Sequence, residues 1–286
     1  MDINQYKVIP NTKFHFNNYK TSENEKQSND KIKDDIMPEL TEKLEKLHLK
    51  LHAAEKNGII VVLQALDAAG KDEVISYIFS NLSAQGLKTT SFGKPNDTEL
   101  KHDYLWRYHE GLPERGQIGI FNRSYYEDVL APRIHDSVEE HETPNNEVDE
   151  SIWKTRYRQI NDYELYLTEN GFEVIKFFFN MSKDEQRDRL LERMTNKDKN
   201  WEFSFNDVKE REYWDDYQKI FSEMLEATST EHSPWFVLPA DDEWHTRRIV
   251  TEVMIDTIER LKPEFPEISQ ENQEKLEEYI NKLKHN

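Results

Sequence analysis

Apolar positions along the chain alternate between short unbroken runs and spaced stripes. Ile59, Ile60, Val61, Val62 and Leu63 form a continuous β-branched and aliphatic run. That is the pattern of a strand covered on both faces of a parallel sheet. Val74, Ile75, Ile78, Phe79 and Leu82 then recur at helical spacing. Further strands are predicted over 87–92, 117–121, 172–181 and 233–238, the fourth apolar on both sides apart from Glu173 and Lys176. Leu40, Leu44, Leu47 and Leu51 make one stripe, predicting a helix between Asp35 and Lys56 that Asn57-Gly58 ends. Helices are also predicted over 98–111, 147–169 (closing at Asn170-Gly171), 246–261 and 269–286. Ser182 followed by Glu185 is a capping box opening one more. On it Arg189, Arg193 and Lys197 sit four apart as a basic line, which continues into Lys199 and Trp201.

This order predicts an α/β fold: a P-loop kinase-like, doubly wound, five-stranded parallel sheet with helices on both faces. The polar excursion over about 193–230 follows a late strand and is expected to form a helical lid. Residues 1–30 are polar without periodicity and are expected to be an extended arm. Residues 31–286 are expected to form a single domain, ending in the amphipathic helix over about 269–286.

The first strand leads into Asp67, Ala68, Ala69, Gly70, Lys71 and Asp72, and then into a helix. Strand, tight turn and helix are what a phosphate cradle needs. Successive N–H groups converge, the helix N-terminus adds positive potential, and a lysine reaches the phosphates. The match to G-x-x-x-x-G-K-[ST] is incomplete, with Ala65 at the first glycine and Asp72 in place of the hydroxyl that binds Mg²⁺. Asp67 is the candidate substitute ligand. The bland alternative is an ordinary strand-turn-helix with a surface lysine. Asn122, Arg123, Glu127 and Asp128 follow the third strand, at the edge where α/β sheets bind ligands. There Arg123 suits a transferring phosphoryl group, and Glu127 or Asp128 suits the metal. The alternative is a helix start enriched in acids for dipole reasons.

Composition narrows the function classes. Charged residues make up 33% of the 286 and apolar ones 36%, with a net charge of −19. That balance argues against nucleic acid and anionic membranes as partners. The stretch 136–150 is acidic without Lys or Arg and reads as a solvated face. There is no cysteine, which excludes disulfides and thiolate metal sites. No apolar run is long enough to span a membrane, and the first residues lack a signal-peptide layout, so cytoplasmic residence is expected.

Five stretches together resemble the polyphosphate kinase 2 family: LQALDAAGKD (63–72), HDYLWR (102–107), GQIGIFNRSYYEDVL (116–130), LLERMTNKDKNWEFSFNDVKERE (190–212) and SPWFVLPADDEW (233–244). They occur in family order, and NRSYYEDVL is most similar to the class III subgroup that acts on both AMP and ADP. The resemblance implies inorganic polyphosphate as donor and AMP, ADP or guanine nucleotides as acceptors. It implies Mg²⁺, with Mn²⁺ as a substitute, and a homodimer or homotetramer. Asp67 and Lys71 would act at the reacting phosphates, with Ala68, Ala69, Gly70 and Asp72 completing the loop. Asn122 and Arg123 occupy the second motif, followed by Glu127 and Asp128. Arg133 looks like a further phosphate contact, and Arg193 and Lys199 like lid cations that meet the polyphosphate. Three departures stand out: Glu73 where relatives carry glycine, Gly93-Lys94 with the basic residue displaced by one, and Glu202 where relatives often have lysine. Two rival functions remain at this stage. One is an ATP-dependent nucleoside monophosphate kinase, which Ala65 and Asp72 disfavour. The other is a non-catalytic polyphosphate- or nucleotide-binding protein, which Glu73 and Glu202 motivate.

Overall fold

The computed structural model describes residues 1–23, 29–135 and 151–285. After a helical lead-in comes α1 (Met37–Ala54), then β1 (Gly58–Gln64), α2 (Lys71–Phe79), β2 (Leu87–Ser91), α3 (Trp106–Glu110), β3 (Ile118–Asn122) and the single turn α4 (Ala131–Ile134). The second half holds α5 (Ser151–Glu169), β4 (Phe172–Asn180), α6 (Lys183–Thr195), α7 (Phe205–Glu210), α8 (Trp214–Thr228), β5 (Trp235–Pro239), α9 (Glu243–Leu261) and α10 (Gln270–Lys284). All five strands run parallel in the order β2-β3-β1-β4-β5. The expected fold class is therefore what the chain adopts.

Each buried strand feeds two cores. Ile59, Val61 and Leu63 face α1, α2 and α9, joining Leu44, Leu51, Val74, Ile78, Val250 and Met254. Ile60 and Val62 face the opposite side, with Ile160 of α5 and Phe221 and Met224 of α8. A strand covered on both faces has no polar side, which is why its sequence is unbroken.

Several boundaries differ from expectation, for local reasons. Glu55, not Asn57-Gly58, carries the left-handed turn that ends α1 (φ 49°), and Gly58 already pairs in the sheet. The stretch 98–111 is not one helix. The Asn96 side chain accepts from the Thr98 and Glu99 N–H groups, and Asp103 accepts from Leu105 N–H, so short polar side chains break it into turns before α3. The basic line is cut because α6 ends at Thr195 and Lys197 lies past its cap. Residues 214–228, read from sequence as part of the lid, are the core helix α8 with Ile220, Phe221, Met224 and Leu225 buried. The exposed part of that excursion is 194–213, with Trp201 at 81% and Phe205 at 78% exposure.

The N-terminal arm is docked on the sheet. Val8 N–H donates to Trp235 O at 2.8 Å, Lys7 bridges Phe236, and Tyr6, Val8 and Phe14 are buried. These isolated apolar residues show no period because they cover the open edge of β5 rather than build an element. The acidic stretch 136–150 lies outside the described residues. No helix among the described residues is long and apolar enough to cross a membrane.

Candidate active site

Adjacent parallel strands end side by side, and the site follows from that. Leu63 of β1 is in register with Asn122 of β3. The loop after β1 and the turn after β3 therefore emerge together at the carboxyl edge of the sheet. The loop turns through two left-handed residues, Ala68 (φ 67°) and Gly70 (φ 89°), and the β3 turn through a third, Arg123 (φ 65°). Alanine and arginine in that region are strained, and strain of this kind concentrates at functional sites. Between the turns lies a cavity of ≈ 330 Å³, lined by residues 67–73 with Ser91, Asn122, Arg123 and Arg193.

The two turns are tied by polar side chains. Arg123 Nη2 donates to Asp67 Oδ1 at 2.9 Å, and Asn122 Nδ2 donates to Asp72 Oδ1 at 2.6 Å. Lys71 Nζ reaches the carbonyls of Ala65 and Leu66, both at 3.3 Å. Those contacts are long for an ammonium. Burial lowers the Lys71 pKa from its ordinary value, while Asp67 pushes it back up. From behind, α6 supports the loop. Gln186 Nε2 donates to Asp67 O at 3.2 Å. Arg189 donates to Ala68 O at 3.2 Å and to Ala240 O at 2.7 Å. From sequence Arg189 belongs to a basic line on α6, and in the structure its guanidinium is engaged by loop carbonyls. Its spacing four after Glu185, with which it pairs, was the available signal.

Arg193 lines the cavity and pairs with Glu202 at 3.4 Å. Glu73 faces the same cavity. Asp207, on α7, was not singled out from the sequence. Burial and then the nearby Asp67 charge push its pKa up to about 6, against Arg193, Arg123 and Lys71. Glu127 sits beside the site, accepting from Gln64 Nε2 at 2.9 Å.

Three expected site residues do not line the cavity. Arg133 pairs with Glu223 of α8 and lies over Trp153, so α4 points it at the second core rather than at the loop. Lys199 pairs with Glu192 at 2.8 Å, and the nearby Glu202 and Glu73 charges also act on it, so it stays near the rim of the cavity. Asp128, expected as a catalytic and metal-side acid, accepts from Tyr108 Oη at 2.7 Å, turned away from the loop by the 3-10 turn it occupies. Burial pushes its pKa up to about 6, with the Tyr108 hydrogen bond opposing.

That shift gives a stability prediction. A carboxyl with a raised folded-state pKa costs the fold stability once ionised, above about pH 6. The cost disappears as pH falls through the folded value towards the ordinary one. Asp128→Asn is therefore expected to raise the melting temperature by a few degrees at pH 8, with the gain vanishing near pH 4. Thermal unfolding across that range checks it. A variant less stable at pH 8 than the parent would show that the ionised carboxylate is needed there.

The donor set suits a cation that relies on its substrate. Among the described residues, no three His, Asp or Glu side chains gather closely enough to hold a metal alone. The cavity presents Asp67, Asp72 and Glu73, the first two already bonded to Arg123 and Asn122. Mg²⁺ binds in this way, through one or two carboxylates, several waters and substrate phosphates.

Comparisons with known proteins agree with this geometry. The family profile described as polyphosphate kinase 2 matches residues 25–266. An ADP-polyphosphate phosphotransferase of Rhodopseudomonas palustris is 46% identical over 237 residues, covering 82% of each chain. An AMP/ADP-polyphosphate phosphotransferase of Meiothermus ruber is 41% identical over 228 residues, covering 80% of this chain and 82% of its own. The crystal structure of polyphosphate kinase 2 from Arthrobacter aurescens superposes with a TM-score of 0.86 at 33% identity, covering 95% of this chain and 94% of its own. With its loop, second motif and sheet order in place, the chain belongs to the polyphosphate kinase 2 family.

Proposed function

We propose that this chain transfers the terminal phosphoryl group of inorganic polyphosphate to AMP and ADP, reversibly, with a divalent cation. Mg²⁺ is the expected cation, with Mn²⁺ as a substitute, and guanine nucleotides are further acceptors. The observation that carries the reading is the convergence of Lys71, Asp67, Arg123 and Arg193 on one cavity at a strand-loop-helix cradle. Relatives named for polyphosphate and adenine nucleotides support the same choice. Soluble anionic substrates suit cytoplasmic residence. The exposed Leu276, Tyr279, Ile280 and Leu283 of α10 support a homodimer or homotetramer.

The step is a direct exchange of one P–O bond for another. A terminal phosphate oxygen of the nucleotide attacks the terminal phosphorus of polyphosphate in line. The bridging P–O bond on the far side breaks, and the shortened chain leaves with that electron pair. No proton needs removal from an ionised phosphate, so no general base and no phosphoenzyme are required. Catalysis of this kind rests on positioning and charge neutralisation. Lys71 and the loop N–H groups hold phosphate oxygens. Arg123 and Arg193 neutralise charge developing on the transferred group. Asp67, with Glu127 beside it, would hold a divalent cation, which would supply Lewis-acid neutralisation there. Residues 194–213 are the segment proposed to cover the substrate and exclude water.

Product analysis with purified protein, Mg²⁺, long-chain polyphosphate and AMP, then ADP, tests the reading. ADP and ATP formed from AMP is the expected result. ATP from ADP alone would restrict the acceptor to diphosphates. Transfer between ATP and AMP without any use of polyphosphate would replace the reading with the ATP-dependent kinase.

Glu127 is proposed as the residue tied to monophosphate acceptance. Glu127→Asn is expected to cut turnover with AMP about tenfold while leaving ADP turnover within about twofold, the size of one net hydrogen bond of about 1.4 kcal/mol. Equal losses with both nucleotides would remove the assignment.

A further inference from the structure

A fully buried ion pair lies under the Arg123 turn, on the face of the sheet opposite α2. Lys176 projects from the middle of β4, between Ile175 and Phe177, and meets Glu164 of α5 at 2.6 Å, both side chains 0% exposed. Lys176 Nζ also donates to Tyr126 Oη at 3.0 Å and to Thr228 O at 2.6 Å, so its three donors are all used. Glu164 Oε1 accepts from Tyr125 Oη at 2.9 Å and from Tyr126 Oη at 2.8 Å. Two neighbouring residues thus send both phenols to one carboxylate oxygen.

That convergence is unusual in extended chain, where consecutive side chains diverge. Here Arg123 leaves β3 in a left-handed conformation, and Glu127 N–H donates to Ser124 O at 2.9 Å to close a tight turn. Tyr125 and Tyr126 are the inner residues of that turn, and Arg123 and Glu127 flank it. A buried pair gives little stability that well-packed apolar residues would not match. Its geometric effect is specific: it fixes both tyrosines, and they fix the turn.

We propose that Glu164 and Lys176 are positioning residues for phosphoryl transfer, holding Arg123 at the cavity through the Tyr125–Tyr126 turn. The inference rests on the proposed polyphosphate-dependent reaction. Lys176 also bonds the last turn of α8 through Thr228, so the same anchor joins the second motif to the helix that returns from residues 194–213.

Glu164→Gln and Tyr125→Phe test it, with initial rates from polyphosphate and ADP normalised to folded protein. Each change is expected to lower kcat about tenfold with both KM values within about twofold, since misplacement of a catalytic group costs turnover. In an Arg123→Lys background, the same changes are expected to cost less than about twofold more, because they act through Arg123. Unchanged kcat per folded molecule would overturn the inference, as would a full tenfold loss persisting in that background. Should Glu164→Gln fail to fold, Tyr125→Phe carries the test alone, because it removes a single hydrogen bond. Wild-type turnover separates the two readings. Active wild type with unaffected variants sinks this inference only, whereas wild type without product from polyphosphate sinks the proposed reaction and this inference with it.

Discussion

Lys71→Ala is expected to lower kcat for transfer from polyphosphate about a thousandfold while leaving the fold intact. The lysine opens α2 at the floor of the loop and lines the cavity. Its structural contribution is small. The two carbonyl contacts at 3.3 Å are weak, and alanine is the best helix former. Its catalytic contribution is large by comparison, because a fixed cation at the transferred group stabilises developing charge without reorganisation, and deleting one such group typically costs about 10²–10³. Lys71→Arg is expected to rescue little, since a planar fork does not fit where a compact ammonium sits between Ala65 O and Leu66 O. Steady-state rates with thermal unfolding on the same samples decide it. Turnover within tenfold of the parent would remove Lys71 from the phosphate cradle.

Much of this arrangement is legible in the sequence. An apolar run followed by small residues and a helical stripe has one economical reading, and β1, the loop and α2 follow it. The register of β1 with β3 is not written in either strand. It follows from crossover topology, yet it is what brings Asp67 to Arg123. Side-chain direction is the least legible. Glu127 and Asp128 are neighbours of identical charge type. A 3-10 turn sends one towards Gln64 and the cavity and the other towards Tyr108. Arg189 and Arg193 share one helix face, but the first is engaged by loop carbonyls and the second lines the cavity. Lys176 broke the apolar pattern of β4, and that break was the one visible trace of the buried pair. Its partner, Glu164, is the one acid of α5 that falls on the stripe of Tyr157, Ile160 and Leu167, a signal that emerges once the buried face of that helix is known.

The departures from the family pattern also acquire a physical meaning. Glu73 faces the cavity, and Glu202 holds Arg193 at 3.4 Å. Both place negative charge where a polyanion is proposed to bind. The Arg193–Glu202 pair is long enough for an incoming phosphate to compete for the guanidinium, because bidentate contact with phosphate is the stronger interaction. On the proposed reading, a polyphosphate chain arriving at this site would exchange one partner of Arg193 for another rather than meet a free cation.

Asp67→Asn is expected to lower kcat about a hundredfold or more, and two consequences of opposite sign identify why. Asp67 lies in the loop, pairs with Arg123 at 2.9 Å and faces the cavity. If its one task were to pair with Arg123, neutralising it would weaken that pair, remove a negative charge from a polyanion site, and tighten polyphosphate binding at preserved turnover. As the proposed cation ligand, its loss instead raises the Mg²⁺ concentration needed for half-maximal rate, and excess Mg²⁺ or Mn²⁺ restores part of the activity. Asparagine retains an acceptor for Arg123, so the turn keeps its geometry in either case. A further effect is independent of the metal. Asp67 holds up the Lys71 pKa against burial, so removing its charge lets that value fall further. Lys71 acts as a cation, and activity on the alkaline side disappears as it deprotonates. The alkaline limb of the pH–rate profile is therefore expected to move to lower pH in Asp67→Asn. Rates measured against Mg²⁺ concentration and against pH resolve the two effects. A variant with tighter polyphosphate binding, normal kcat and an unchanged Mg²⁺ requirement would leave Asp67 as a partner of Arg123 alone.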